Sequence, residues 1–410
     1  MSEPAWWRRV IQRMAEKQQQ DTSGGYPFPG AAFGIDTASI NGQAIGSVGQ
    51  DNGWNDNTIC EIGSMTKTFT AAATLMALRE FATLNVDMAV YTLPGMDAWS
   101  PGVADDPRKS QITVRQLLQH RTGLPFIVRD PDPPAPCVGV GSGFKGSPGL
   151  TNECIQVDGV FQPARGLTLN QISNFVTRSP KYPLAADPGT QTTYSNLDYI
   201  VAGRIVEKLS GMTLDVYLKR KVFDRIGMND SFFFAHKSTD EQRRRIANVV
   251  NITPDKKLPP EFAPTPNQTW NKLRPGWNYV WPEGAMYSTV VDLLQFLRLL
   301  RNKGKFMGQE IIHEDIVDLM LNAVTDVHTL GFRRGHDDVF EGVSTNVVGH
   351  YGRFMTYFWY DKKPGNPPIL GVYLSQRITL VAEGDDGSNR RKGAEAANVF
   401  TRLVYNNLSG

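Results

Sequence analysis

Apolar residues recur at helical spacing through much of the chain and at strand spacing near both of its ends. The opening stretch MSEPAWWRRVIQRMAEKQQQ reads as an amphipathic helix. PGAAFGIDTASINGQAIGSVGQ then reads as two short strands joined at Asn41-Gly42, a strong hairpin signal. From Ser64 the pattern turns helical: TKTFTAAATLMALREF carries so many small and apolar positions that the helix is expected to be buried on most sides. QITVRQLLQHRTGLP predicts a helix ending at Gly123, with Pro125 behind it. LDYIVAGRIVEKLSG predicts another, stopped at Gly211, and TVVDLLQFLRLLRNKGK a third, capped by Ser288 or Thr289 and ended at Gly304. Near the end, RFMTYFWYD and PPILGVYLS are rich in aromatic and β-branched residues and flank a Lys-Lys-Pro-Gly-Asn turn, which predicts a hairpin. GAEAANVFTRLVYNNL closes the chain as a helix.

Strands at both ends and helices between them imply an α+β fold in which the two chain ends share one antiparallel sheet flanked by the N- and C-terminal helices. The middle is then a large, mainly helical insertion. At 410 residues the chain exceeds what one compact core usually holds. The expected division puts 1–79 and 276–410 in the sheet domain, with the Ser64 helix at the interface, and 80–275 in the helical one. A Pro- and Gly-rich stretch over 130–149 lies in a loop (130–170) long enough to serve as a lid or shaped wall. No repeat of fixed period is visible.

Composition narrows the partners. Lys plus Arg number 43 and Asp plus Glu 41, a balance that argues against a nucleic-acid surface. No apolar run approaches the length of a spanning helix, and no secretory leader is recognisable, so a soluble, cytoplasmic protein is expected. The three cysteines, Cys60, Cys137 and Cys154, lack Cys-x-x-Cys spacing, which argues against a zinc site or a disulfide framework. Reduced thiols are the expectation, with a Cys137–Cys154 pair across the Gly-rich segment left open.

EIGSMTKTF contains Ser64-x-x-Lys67, and residues three apart on a helix share a face. A serine hydroxyl needs a base, and a lysine can serve only if its pKa falls from about 10.4 toward 7. Burial and nearby cations can supply such a shift, which corresponds to about 4 kcal/mol. The motif alone arises by chance in most large proteins. Two others accompany it: Tyr194-Ser195-Asn196, after DPGTQTT and before a helix, and His350-Tyr351-Gly352, opening a late strand.

Together with ITVRQLLQHRTGLP, VFDRIGMNDSFF and GAMYSTVVDLLQFLRLL, these motifs resemble the class C β-lactamase-like serine hydrolases. That group includes β-lactam-sensitive carboxypeptidases, D-aminopeptidases and family VIII carboxylesterases, and the resemblance covers nearly the whole chain. It implies a β-lactamase/penicillin-binding-protein-like fold and an acyl-enzyme on Ser64. Lys67 and Tyr194 would share proton transfer, either of them being the base, and Asn196 would hold Lys67 or the substrate carbonyl. The oxyanion hole would combine the backbone N–H groups of Ser64 and Arg353, with Gly352 leaving room for the approach. His350 either contributes to the site or only shapes it. His120, His236, His313, His328 and His336 are scattered without paired ligand spacing, so neither a metal nor a cofactor is expected. Gly141-Ser142-Gly143 lacks the first glycine of a nucleophile elbow and reads as a loop.

Substrate class follows from departures. β-Lactamases proper usually carry Lys-Thr-Gly where this chain has His350-Tyr351-Gly352, and a neutral imidazole holds a carboxylate less firmly than an ammonium does. Relatives often place Gln just after the Gly-Leu-Pro turn; here Phe126 and Ile127 follow. An apolar wall of Phe126, Ile127 and Tyr351 favours an ester or aromatic acyl group. A carboxylesterase on short-chain or aromatic esters is therefore the first expectation. Amide or peptide hydrolysis (D-aminopeptidase, D-Ala carboxypeptidase, weak β-lactamase), acyl transfer, or a catalytically silent ligand-binding homologue are the alternatives. In each case the partner is a small ester or amide, with the oligomeric state open.

Overall fold

A computed structural model describes residues 4–24, 27–37, 42–125, 154–157, 160–163, 167–178, 182–251, 280–322, 325, 327–335, 346–362, 368–378 and 388–408. Helix α1 (Ala5–Ser23) leads into strands β1 (Ala31–Thr37) and β2 (Gly42–Val48). Helices α2 (Thr66–Arg79), α3 (Leu169–Arg178), α4 (Asn196–Ser210) and α5 (Val290–Arg301) follow. Strands β3 (Arg333–Arg334), β4 (Val347–Gly352), β5 (Thr356–Asp361) and β6 (Ile369–Leu374) precede the last helix, α6 (Ser388–Leu408).

The six strands form one antiparallel sheet in the order β3-β4-β5-β6-β1-β2, so the early hairpin is inserted beside the late one. Tyr357 pairs with Tyr373, and Phe33 with Tyr373 on the other side. Alternation along β4 decides which face each side chain serves. Val347 and Tyr351 join the cluster under α1 and α6, while Val348 and His350 lie on the face toward α2. Helices α1 and α6 pack on each other over one face, and α5 crosses the other against β1 and β6. Gly34 permits that crossing: a Cβ there would lie 2.8 Å from Val290 Cγ1.

Helix α2 is buried along almost its whole length, as its small residues require, and it packs against α4, which in turn packs on α3. Its threonines tie it to the surrounding loops: Thr68 Oγ1 donates to Gly331 O at 2.7 Å and Thr70 Oγ1 to Pro282 O at 2.6 Å. This is the antiparallel sheet with helices of the β-lactamase/penicillin-binding-protein fold.

Local differences from the sequence reading have physical causes. The helix expected to end at Gly123 spans only Val114–Leu118, begun by a Thr113–Gln116 capping box. It stops because His120 takes a left-handed φ of 56° and turns its ring into the core. Gly123 occupies a later turn, where a Cβ would meet Ala186 O at 2.2 Å. The middle of the chain also holds a two-stranded sheet, Cys154–Val157 with Val160–Pro163. Helix α4 is capped by Ser195, whose Oγ accepts from Leu197 N, and ends at Gly211; α5 is capped by Thr289. The Asn41-Gly42 turn, the 130–149 stretch with Ser142, and a Cys137–Cys154 pair fall outside what the described residues and side chains cover, whereas Cys60 is buried beside the Ser64 turn.

Candidate active site

Ser64 sits in a single 3-10 turn, Gly63–Met65, that runs directly into α2. Four hydrogen bonds pin this turn. Ile62 N donates to Met286 O (2.9 Å), Thr66 Oγ1 to Gly63 O (2.6 Å), Met286 N to Thr66 Oγ1 (3.1 Å) and Thr356 Oγ1 to Ile62 O (2.9 Å). The nucleophile candidate is thus fixed between the sheet and the 280–286 segment. Its side chain remains partly exposed while its neighbours are buried.

Lys67 is completely buried. Its Nζ donates to Asn196 Oδ1 at 2.7 Å and Glu283 O at 2.7 Å, and lies 3.2 Å from Ser64 Oγ. Two of these partners can only accept. A neutral amine has two N–H bonds, which they would occupy, so its lone pair would be left facing the Ser64 hydroxyl. Burial pulls the Lys67 pKa down from 10.5 to about 7, against the opposing charges of Glu283, Asp198 and Tyr351. Burial alone lowers it; the neighbouring cation invoked from sequence is not among the causes.

Tyr194 and Tyr199 face the same amine, with Nζ 4.9 Å and 5.6 Å from their ring centroids. The Tyr194-Ser195-Asn196 turn therefore delivers an aromatic ring and an amide to Lys67 from one short segment. Across the site, the end of β4 presses on the Ser64 turn. A Cβ on Gly63 would lie 2.9 Å from Arg353 N, and one on Gly352 would lie 2.1 Å from Ile62 O. These approaches put the Arg353 amide next to Gly63 and Ser64, as an oxyanion hole made from the two backbones would require.

His350 is buried and held well below its ordinary pKa by burial and by the Lys67 charge, so it is a neutral imidazole hydrogen-bonded at Nδ1 to Tyr351 O (2.9 Å). Tyr351, expected as a pocket wall, is half-buried with its ring toward Tyr357 on the terminal-helix face, and its hydroxyl accepts from Arg333. Phe126 and Ile127 lie outside the described residues.

Sequence reasoning missed the layer behind these groups. Glu283 is brought to Lys67 by the turn after Trp281-Pro282. His120 and His328, 208 residues apart, meet with ring centroids at 5.0 Å. Asp198, one turn into α4, lies 3.0 Å from His120 Nδ1 and accepts from Thr122 Oγ1 at 2.5 Å; burial holds its carboxyl well above the usual carboxylate range. Among the described residues no group of three or more His, Cys, Asp or Glu is placed to hold a metal ion. No helix there is long and apolar enough to cross a membrane.

A buried lysine against a serine at the mouth of this fold defines a β-lactamase-fold serine hydrolase. The Beta-lactamase family model matches residues 9–395, and the chain belongs to that family. It is 22% identical over 360 residues to an N-acetylmuramyl-L-alanine amidase of Bacillus subtilis, covering 82% of this chain and 72% of that one. It is 29% identical over 204 residues to a lovastatin esterase of Penicillium rubens, covering 47% of this chain but only 43% of the esterase. Among solved structures it resembles a D-amino acid amidase from Ochrobactrum anthropi SV3 (TM-score 0.67, 17% identity, 98% of this chain and 99% of that one). It also resembles EstCE1, a hydrolase with promiscuous acyltransferase activity (TM-score 0.66, 18% identity, 96% and 98%).

Proposed function

We propose that the chain is a carboxylesterase that forms an acyl-enzyme on Ser64 from short-chain or aromatic esters. The observation that carries this reading is the Lys67 amine, buried, drawn to a pKa of about 7 and 3.2 Å from Ser64 Oγ. Neutral Lys67 takes the Ser64 proton as Oγ attacks the ester carbonyl. The oxyanion forms between the Ser64 and Arg353 N–H groups. The alkoxide leaves with a proton returned through Lys67 or Tyr194, and water, deprotonated by the same pair, releases the acid.

Preference for esters rests on His350. Where a lysine would hold a drug carboxylate, this chain has an imidazole kept neutral by burial. Of the cations near that strand, Arg333 from β3 is engaged with the Tyr351 hydroxyl, and the Arg353 guanidinium lies over the Phe354 ring. Esters also demand less of the leaving-group acid than amides do. The lovastatin esterase among the relatives supports the same substrate class. The division into a sheet part (1–79 and 276–410) and a helical part (80–275), with Ser64 where they meet, belongs to the same reading.

The test is a panel on one preparation: p-nitrophenyl butyrate, nitrocefin and D-Ala-p-nitroanilide. The ester is expected to turn over fastest, with a burst matching enzyme concentration. Ser64→Ala should lower ester hydrolysis by about 10⁴-fold or more. Full activity in that variant, or an acyl or phosphonate adduct mapped by mass spectrometry to another serine, overturns the assignment. Faster turnover of nitrocefin or the anilide replaces esterase with lactamase or amidase.

A further inference from the structure

The layer behind Ser64 and Lys67 contains a residue that the proposed chemistry does not use. His120 is 1% exposed and holds a left-handed φ of 56°, a conformation a non-glycine residue keeps only when its surroundings demand it. Its contacts converge on the Tyr194 turn. His120 O accepts from Thr193 N at 2.8 Å, and its Nδ1 accepts from Ser195 N at 3.1 Å. The same imidazole packs on Tyr194 (centroids 4.4 Å apart) and on Tyr199 (5.1 Å), the two rings that face Lys67 Nζ. His328 closes the other side edge-on at 5.0 Å.

We propose that His120 is a positioning residue that sets the rings of Tyr194 and Tyr199 against Lys67 and thereby controls the proton transfer between Lys67 and Ser64. The inference rests on the Ser64 acyl-enzyme reading and deepens it. Backbone and ring contacts come from one side chain, so the register of the Tyr194-Ser195-Asn196 turn and the enclosure of the amine are set together. His328 contributes by holding the imidazole from behind. It is buried and neutral, and among the described residues neither ring nitrogen has a hydrogen-bond partner, so what it offers His120 is packing.

The enclosure matters because burial is what lowers the Lys67 pKa. The groups facing it are Glu283 from the 280–286 segment, Asp198 and Tyr199 from α4, Tyr194 before that helix, and His350 from β4, with Tyr351 acting on it from the other face of that strand. Beyond them lie His120, His328 and Arg333, which act electrostatically on one another. The acidic members favour the ammonium, and the imidazoles are neutral by burial. Loosening the rings would admit water, stabilise the ammonium and move base formation to higher pH.

Two substitutions at His120 separate its functions. His120→Asn keeps an acceptor for Ser195 N and removes the ring. Its kcat on p-nitrophenyl butyrate should fall at least 10-fold with KM within 2-fold, and the acid limb of the kcat/KM profile should move up by at least half a pH unit. His120→Phe keeps a ring and loses the acceptor; its limb should stay within 0.2 units while kcat falls. Should neither variant fold, His328→Leu carries the test, with an upward shift of a few tenths of a unit expected. Folded variants whose kcat and limb match the parent, with only thermal stability lowered, overturn the proposal. So does an unmoved limb in His328→Leu when both His120 variants fail to fold. Phosphonate labelling of Ser64 in the parent distinguishes the two levels. If Ser64 is not labelled, the acyl-enzyme reading fails; if it is labelled and the His120 variants behave as the parent, only the positioning role fails.

Discussion

On the face of the sheet that meets α1 and α6, Phe400 packs against Trp7, Phe33, Trp359 and Tyr373, with ring centroids 5.0 to 6.2 Å away. On the face that meets α2, the end of β4 presents His350 toward Lys67 and His120, which in turn meet Asn196, Glu283 and Asp198, all buried. The first arrangement removes aromatic surface from water at about 25 cal/mol per Å² and stabilises the fold. The second buries groups whose desolvation costs free energy unless each finds a partner. One sheet therefore carries an aromatic cluster under the terminal helices on one face and, on the other, polar groups set into the larger apolar core around α2, α4 and α5. Changes on the two faces should have different signatures.

Two strand glycines make a matched pair. A Cβ on Gly352 would lie 2.1 Å from Ile62 O, and one on Gly371 would lie 2.0 Å from Trp359 Cζ2. The clash is equal in size and opposite in consequence. Gly352→Ala must push the end of β4 away from the Ser64 turn, dragging the Arg353 amide with it. kcat/KM on the ester should fall about 10²- to 10³-fold, as for loss of one oxyanion donor. Gly371→Ala pushes on an indole in the aromatic cluster; it should cost about 1–3 kcal/mol of stability and leave the folded enzyme's kcat/KM within 2-fold. Urea melts alongside initial rates on both variants make the comparison. Equal losses of turnover would show that the two faces are not independent.

These distinctions were unevenly legible in the sequence. The helical periodicity of 66–79 and 196–210, the aromatic and β-branched run over 356–361 and the spacing Ser64-x-x-Lys67 are local patterns, and local patterns survive into structure. The Tyr194-Ser195-Asn196 and His350-Tyr351-Gly352 turns were found because each is contiguous. His120 was not, because a single histidine inside a stretch expected to be helical as far as Gly123 carries no spacing signal of its own. Its burial follows from contacts with residues 73 to 208 positions away. Glu283 was hidden for a similar reason: its hydrogen bond with Lys67 is made by a main-chain carbonyl, which no side-chain motif records. The sign of the lysine shift was readable from the Ala-rich helix, but its cause was not divisible between burial and charge until the neighbours were placed.

The pH dependence sharpens the chemical face. With Lys67 acting as base at a pKa of about 7, kcat/KM should fall about tenfold per pH unit below pH 6 and level off above pH 8. Stability runs with the same sign. Between about pH 7 and 10.5 the unfolded chain holds a proton on Lys67 that the folded chain has released, so unfolding takes up a proton and this group's contribution grows as pH rises through that window. Below pH 7 both states are protonated, so the folded chain carries the full cost of the buried ammonium and stability no longer changes with pH through this group. A profile flat from pH 5 to 9 would remove Lys67 from the role of base.

Smallest in its effect on turnover should be Phe400→Ala, although it is the more damaging to the fold. Phe400 is fully buried, and every ring it touches lies under α1 and α6. Truncation leaves a cavity there and should cost about 3–5 kcal/mol, read as a lower urea midpoint with an unchanged slope. At low urea, where the variant is still folded, its kcat/KM and its acid limb near pH 7 should match the parent. The reason is geometric. Trp359 sits opposite Gly349 on β4, and a rearrangement of its ring reaches Gly352 and Arg353 only by moving that strand. The end of β4 is held by its partner on β5: Thr356, paired with Gly352 and three residues before Trp359 on the same strand, donates from Oγ1 to Ile62 O. A drop in kcat/KM that tracks the loss of stability would mean that this anchor is too weak to insulate the oxyanion hole, and that the aromatic face sets the position of the catalytic one.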